Sequence, residues 1–154
     1  MTSGQQVVTE ELDCVCRFLE LLQTENLALK SGELADLEEI SRKKSTLIPE
    51  LEAKTQARLA FFGVTNPTTA AQDAARWFAE NPNEREAREN WETLLKTAAK
   101  ARDIHKANEV LVSLLLQRTN AALDILVQRQ RDQTTYGSNG QATSPTGSRI
   151  IDSA

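Results

Sequence analysis

Histidine is nearly absent from this chain: His105 is the only one in 154 residues. That scarcity removes most metal and acid–base chemistry at a stroke. A di-iron helical bundle needs a Glu-x-x-His on each of two helices, and zinc sites draw on several His or Cys ligands at matched spacing. Neither can be assembled, although His105 stands one helical turn before Glu109, at ion-pairing distance. Cysteine is almost as rare. Cys14 and Cys16 would point about 200° apart on a helix that turns about 100° per residue, so there they neither bridge nor share a metal. A buried, reduced thiol is the reading for at least one of them. No Gly-x-Ser-x-Gly elbow occurs, and the glycines are too few and too terminal to form a phosphate-cradling Gly-x-x-x-x-Gly-Lys loop. Adjacent acids such as Glu10-Glu11 and Glu38-Glu39 diverge on a helix and read as solvated surface. No catalytic residue, metal or cofactor is expected.

An excess of positive charge is also lacking. The formal net charge is -4, with charged residues of both signs making up 26% of the chain, which does not suit a protein that neutralises phosphates. The densest basic clusters, Arg42-Lys43-Lys44 and the set Lys96, Lys100, Arg102 and Lys106, have acids nearby and no interleaved aromatics. Nucleic acid is therefore not an expected partner. The N-terminus has no basic start leading into an apolar stretch, so no secretory signal is visible and a cytoplasmic location is expected. The longest strongly apolar run, 110–116, is interrupted by Ser113 and falls far short of the roughly 20 residues that span a bilayer. No membrane span is expected.

Aliphatic residues at helical spacing are what the chain does have. Apolar residues are 40% of it and aromatics 5%, with Leu and Ala prominent, a composition for helices packed along aliphatic seams. Val8, Leu12, Val15, Leu19, Leu22, Asn26 and Leu29 step by four and three, predicting a first long helix. Asn26 alone interrupts that seam, where a polar group can fix register against a partner helix. Ser31-Gly32-Glu33 ends it, with Gly32 able to take the left-handed conformation. A second, antiparallel helix carries Leu34, Leu37, Ile40, Leu47 and Leu51, with Lys44 on the same stripe and a kink expected near Leu47 because Pro49 lies inside. Phe61-Phe62-Gly63 closes it. Thr69 and Gln72 resemble a capping box for a short helix through Ala79 that carries Trp77 and Phe78 and plugs one end of the bundle.

A third long helix should run from 81 to about 134, with Asn81 as its cap, Pro82 at its first position and Glu84 reaching back to the cap. At 1.5 Å per residue it would be about 80 Å long, twice the reach of the preceding hairpin. Its first half is rich in alanine, whereas 110–116 is apolar on nearly every side and needs more than one packing partner. Tyr136-Gly137-Ser138-Asn139-Gly140 then opens a polar segment too rich in turn formers to pack, expected to be disordered. The expected architecture is an all-α, antiparallel bundle of three long helices plus a short connecting helix, with a helical domain at 1–134 and a flexible tail at 135–154.

These residues resemble the FlgN family of flagellar export chaperones. The stop at Ser31-Gly32-Glu33 between Leu27 and Leu37 is similar to the family's helix-turn-helix opening, and Lys44 with Leu47 and Leu51 to its second helix. Trp91, Leu94, Asn108, Leu111 and Leu126 fall where the family places its long C-terminal helix. Tyr136-Gly137 with Gly140-Gln141 resembles its closing signature. The chain departs from the family's Asn-x-x-Asn-Gly on the long helix, reading His105-x-x-Asn108-Glu109.

The resemblance implies a non-enzymatic cytoplasmic chaperone that binds the C-terminal segments of hook-associated proteins of the hook-filament junction. It would hold them unassembled and deliver them to the type III export apparatus, docking on the export gate protein FlhA through a tyrosine just after the last helix, here Tyr136 with Gly137. Client contacts are expected at Leu111, Leu114, Leu115, Ala122 and Leu126, where an amphipathic client helix would complete an open seam. The alternative is a structural module that buries the same leucines by self-association, as a homo-oligomer in the free state.

Overall fold

Side chains at strict seven-residue intervals organise the first part of the chain. The computed structural model describes residues 3–143, with side chains to 137. Val8, Val15, Leu22 and Leu29 are buried along α1 (Gly4–Ser31), and Ala87, Leu94, Ala101 and Asn108 along α4 (Arg85–Thr143). A repeat of seven is 3.5 residues per turn, the period at which two helices keep one seam facing a partner. With α2 (Leu37–Phe61) and the short α3 (Ala70–Glu80), four α-helices and two 3-10 turns, Leu34–Asp36 and Pro67–Thr69, make up the fold, and the described residues contain no strand. The all-α class is the one expected.

The chain divides into two compact units, Met1–Leu111 and Val112–Ala154. In the first, hydrogen bonds set the helix directions. Glu10 pairs with Lys54, Glu11 with Arg58, Arg17 with Glu50 and Glu25 with Lys44, so partners descend α2 as α1 ascends and the two are antiparallel. Thr9 bonds Asn90 and Asn26 bonds Asn108, so α4 of this unit runs parallel to α1. The turn between α1 and α2 rests on Gly32, whose φ of 75° is the left-handed value a helix stop requires.

Aromatic rings close one end of this unit. Phe61 and Phe62 at the end of α2, Trp77 and Phe78 on α3, and Trp91 on α4 stack edge-on or tilted at centroid distances of 5.0–6.4 Å. The Arg58 guanidinium lies 5.0 Å from the Trp91 ring centroid while it pairs with buried Glu11, so one cation joins α1, α2 and α4. The first turn of α1 is capped by Ser3, whose hydroxyl accepts from the Gln6 N–H at 3.1 Å. Gly4 is packed against Trp77 so closely that an added Cβ would sit 2.4 Å from the ring.

Three local expectations are corrected. Asn81 does not cap α4: its side-chain amide donates to the Trp77 carbonyl at 2.8 Å and closes α3, while Asn81-Pro82-Asn83-Glu84 forms a turn. The helix starts at Arg85, with the Glu84 carbonyl as an acceptor for the Arg88 N–H. Pro82 serves the turn because its fixed φ suits the second turn residue as well as a helix start. Thr69 does not pair with Gln72; its hydroxyl lies between the Asn66 carbonyl and the Asp73 carboxylate. The third correction concerns the end of α4, which continues past 134 through Tyr136, Gly137 and Gly140 to Thr143. A glycine inside a helix costs about 1 kcal/mol relative to alanine but obstructs nothing, so it need not end one. Residues 144–154 of the expected tail lie outside the described residues.

Pro49 lies inside α2 without dividing it. The missing N–H leaves the Ser45 carbonyl without its usual donor, and because Ser45 and Pro49 both face solvent, water can take that place.

Candidate partner-binding surface

Polar side chains in the first unit fix the seam of α4 just before its apolar stretch begins. Asn108 is 2% exposed. Its amide donates to the Leu22 carbonyl at 3.0 Å and to a Glu25 carboxylate oxygen at 3.1 Å, and its side-chain oxygen accepts from the Asn26 amide at 2.9 Å. Lys44 on α2 donates to both oxygens of the same Glu25. A buried amide with three partners tolerates no sliding, since a shift of one turn would leave several polar groups dry and unbonded. Asn26 therefore does what its interruption of the seam suggested, and Lys44 holds the carboxylate that Asn108 touches. His105 stands one turn before Glu109, with Nε2 at 3.2 Å from the carboxylate. Its Nδ1 is buried without a partner among the described residues, and the ring edges a largely apolar cavity of 290 Å³ beside Phe18, Ile48, Leu51 and Ala101.

Cys14 is buried and Cys16 half-buried, and both are free thiols. Burial, followed by the charge of Glu50, pushes the Cys14 thiol above its ordinary range, so it is a poor nucleophile. Among the described residues no three His, Cys, Asp or Glu side chains stand close enough to hold a metal.

The second unit, taken by itself, is helix α4 from Val112 onward, and apart from half-buried Leu115 every residue of 112–137 is exposed. Large apolar side chains are open to solvent along it, including Leu116, Ile125 and Leu126, each more than half exposed. The expected client contacts divide at the unit boundary. Leu111 is half-buried in the first unit; Leu114, Leu115, Ala122 and Leu126 belong to the second, where all but Leu115 are exposed. Tyr136 is 83% exposed, but with Gly137 it lies within the helix and not after its end.

The wide apolar girth expected at 110–116 continues into a second row that the expected contacts do not include. Val112, Leu116, Leu123 and Val127 repeat the four-seven-four spacing of Leu111, Leu115, Ala122 and Leu126, one residue later, and all four are exposed. The signal that finds it is the polar remainder, because Ser113, Gln117, Asn120 and Asp124 step by four, three and four and fill one narrow strip.

Part of this helix is long and apolar enough, by length and composition alone, to cross a bilayer, and none of that stretch is buried. Arg118 and Asp124 fall inside the apolar stretch, and each would cost about 3 kcal/mol near the centre of an inserted helix. The stretch is not a clear membrane span.

Comparison with known proteins settles the family. The family model described as FlgN protein matches residues 1–144. The chain belongs to the FlgN family. No curated protein and no solved structure matches it. FlgN proteins are flagellar export chaperones, which supports a general role in flagellar export for this chain. In this member the polar pair on the long helix is explained by its contacts: Asn108 ties α4 to α1, whereas Glu109 is exposed beside His105.

Proposed function

We propose that this protein binds the C-terminal segments of hook-associated proteins in the cytoplasm, keeps them from assembling early, and delivers them to the flagellar export gate. The observation that carries the reading is the run of exposed apolar side chains along 112–127 in a member of an export chaperone family. A continuous apolar surface of this length is unfavourable in water and marks a place where another protein sits. Leu114, Leu115, Ala122 and Leu126 are the proposed contacts, with Leu111 at the edge of the bundle unit. An unstructured client segment that folds on this surface would derive its affinity from a few leucines more than from total area.

Tyr136 is the proposed contact for FlhA, with Gly137 beside it leaving room for a docking surface. Its exposure supports this use, since an aromatic ring in water on a polar part of the helix has no packing role within its own unit. We place the working boundary between client holding and gate docking at 134/135. Self-association through the same leucines is the rival reading, supported by the same exposure.

The test is co-purification with hook-associated proteins, whole and lacking their C-terminal segments. Retention of the whole proteins and loss of the truncated ones is expected; retention of both would refute the proposed mode. Sedimentation of the free chain separates the rival, which requires a stable oligomer that takes up no client.

A further inference from the structure

The exposed part of α4 is apolar around most of its circumference, and its two sides differ in charge. At about 100° per residue, the apolar side chains of 112–127 occupy an arc of roughly 240°, from Ala121 round to Val127. Ser113, Gln117, Asn120 and Asp124 fill the remainder. A single facing helix covers a stripe of about 100°, so one partner helix leaves half of this arc in water.

One side consists of Leu114, Leu115, Ala122, Ile125 and Leu126 with Arg118 and Arg129 set among them. The other consists of Val112, Leu116, Leu123 and Val127, with Thr119 on the border between the two sides, and carries no charge. Among the described residues neither Arg118 nor Arg129 has a carboxylate partner, and the nearby Asp132 accepts from Gln128 at 3.0 Å. The two arginines are eleven residues apart, about 16 Å along the axis.

We propose, building on the chaperone reading above, that residues 112–130 are clasped from both sides by a client segment forming two amphipathic helices. One helix packs on the basic side and carries carboxylates that meet Arg118 and Arg129; the other packs on the uncharged side through an apolar seam. A parallel second copy of this chain fits poorly, because in register it would set Arg118 against Arg118. A bilayer fits poorly because Arg118 and Asp124 would enter hydrocarbon.

The experiment titrates a purified C-terminal segment of a hook-associated protein into the full chain at low and high salt. Two double variants are compared with the parent, Leu116→Gln with Leu123→Gln and Arg118→Gln with Arg129→Gln, each checked for unchanged helix content by circular dichroism. The leucine pair should weaken binding at least tenfold with the salt dependence intact. The arginine pair should weaken it several-fold and flatten the salt dependence. Parent-like binding by the leucine pair would overturn the two-sided clasp while leaving client binding in place, and an unchanged salt dependence in the arginine pair would overturn the acidic partner. Equal capture of the parent by neutral phosphatidylcholine vesicles, or an oligomer of the free parent that the leucine pair dissolves, would assign the uncharged side to lipid or to a second copy. Failure of the parent itself to bind any client would bring down the chaperone reading and the clasp together, a result distinct from loss in one variant.

Discussion

The two parts of α4 obey one repeat and meet opposite surroundings. From Ala87 the interval of seven passes through Leu94, Ala101 and Asn108, all buried, and continues through Leu115, Ala122, Arg129 and Tyr136, of which the last three are exposed. What differs is the size and placement of the side chains. The first part uses alanine at 87, 98 and 101, letting neighbouring backbones approach, and ends on an amide that three groups hold. The second part spreads leucine, isoleucine and valine around the helix, more than one seam can bury. A buried seam needs economy of volume; a binding surface needs surplus. The same period serves both, so periodicity alone does not tell a core from a docking site.

The comparison is most sharply tested by making one change in both parts. Leu94→Ala, at a 3% exposed position, should lower unfolding free energy by about 3 kcal/mol. Leu123→Ala, at a 53% exposed position, should change it by less than about 0.5 kcal/mol. Urea denaturation followed by circular dichroism measures both, and equal effects would mean the second part is packed as tightly as the first. Asn108→Ala should cost about 2 kcal/mol, because the Leu22 carbonyl and the Glu25–Lys44 pair lose a buried partner; a loss within error would show that the amide network does not hold the register.

Acid gives a smaller and differently placed effect. The hydrogen bond from Lys54 holds Glu10 below the ordinary carboxylate value of 4.5, and the one from Arg17 does the same for Glu50. A carboxylate with a lowered folded-state value contributes stability that is present above its unfolded value and lost as pH falls through the folded one. The urea midpoint should therefore drop modestly below pH 4.5, and Glu10→Gln with Glu50→Gln should flatten that limb. Both pairs lie in the first unit, so Glu10→Gln with Glu50→Gln should leave client binding at neutral pH unchanged. The smallest effect on stability belongs to Tyr136→Ala, within about 0.5 kcal/mol, together with weakened capture by the FlhA cytoplasmic domain and unchanged client binding. Equal loss of both would mean that the tyrosine is structural.

Helix type, order and rough extent were legible because Leu, Ala and Val recur at three and four over long stretches, a signal that local context rarely overrides. Boundaries were less so. Asn81-Pro82-Asn83-Glu84 fits a helix cap and a turn equally well, and only the carbonyl of Trp77, one helix back, decides between them. The reach of α4 past Gly137 was hidden because glycine lowers helix propensity without forbidding the ladder. Asn26 and Lys44 were visible as polar interruptions of apolar seams, but the partner of each, Asn108 for Asn26 and Glu25 for Lys44, lies on another helix. The apolar girth of 110–116 was legible, but its continuation through Leu123 and Val127 was not, because the polar run 117–120 separates them from it.

The unbroken repeat makes α4 a ruler. Leu115 and Tyr136 are three heptads apart, about 31 Å along the axis, and on a straight helix the position drifts only about 20° per heptad, so the tyrosine stays on the side that carries Leu115 and Ala122. Whatever lies along that side from Leu115 has about 31 Å of track before it hides the ring. Cargo length thus decides whether Tyr136 stays visible while the cargo is aboard: a helix ending near Leu126 leaves it in view, and one of about 21 residues or more covers it.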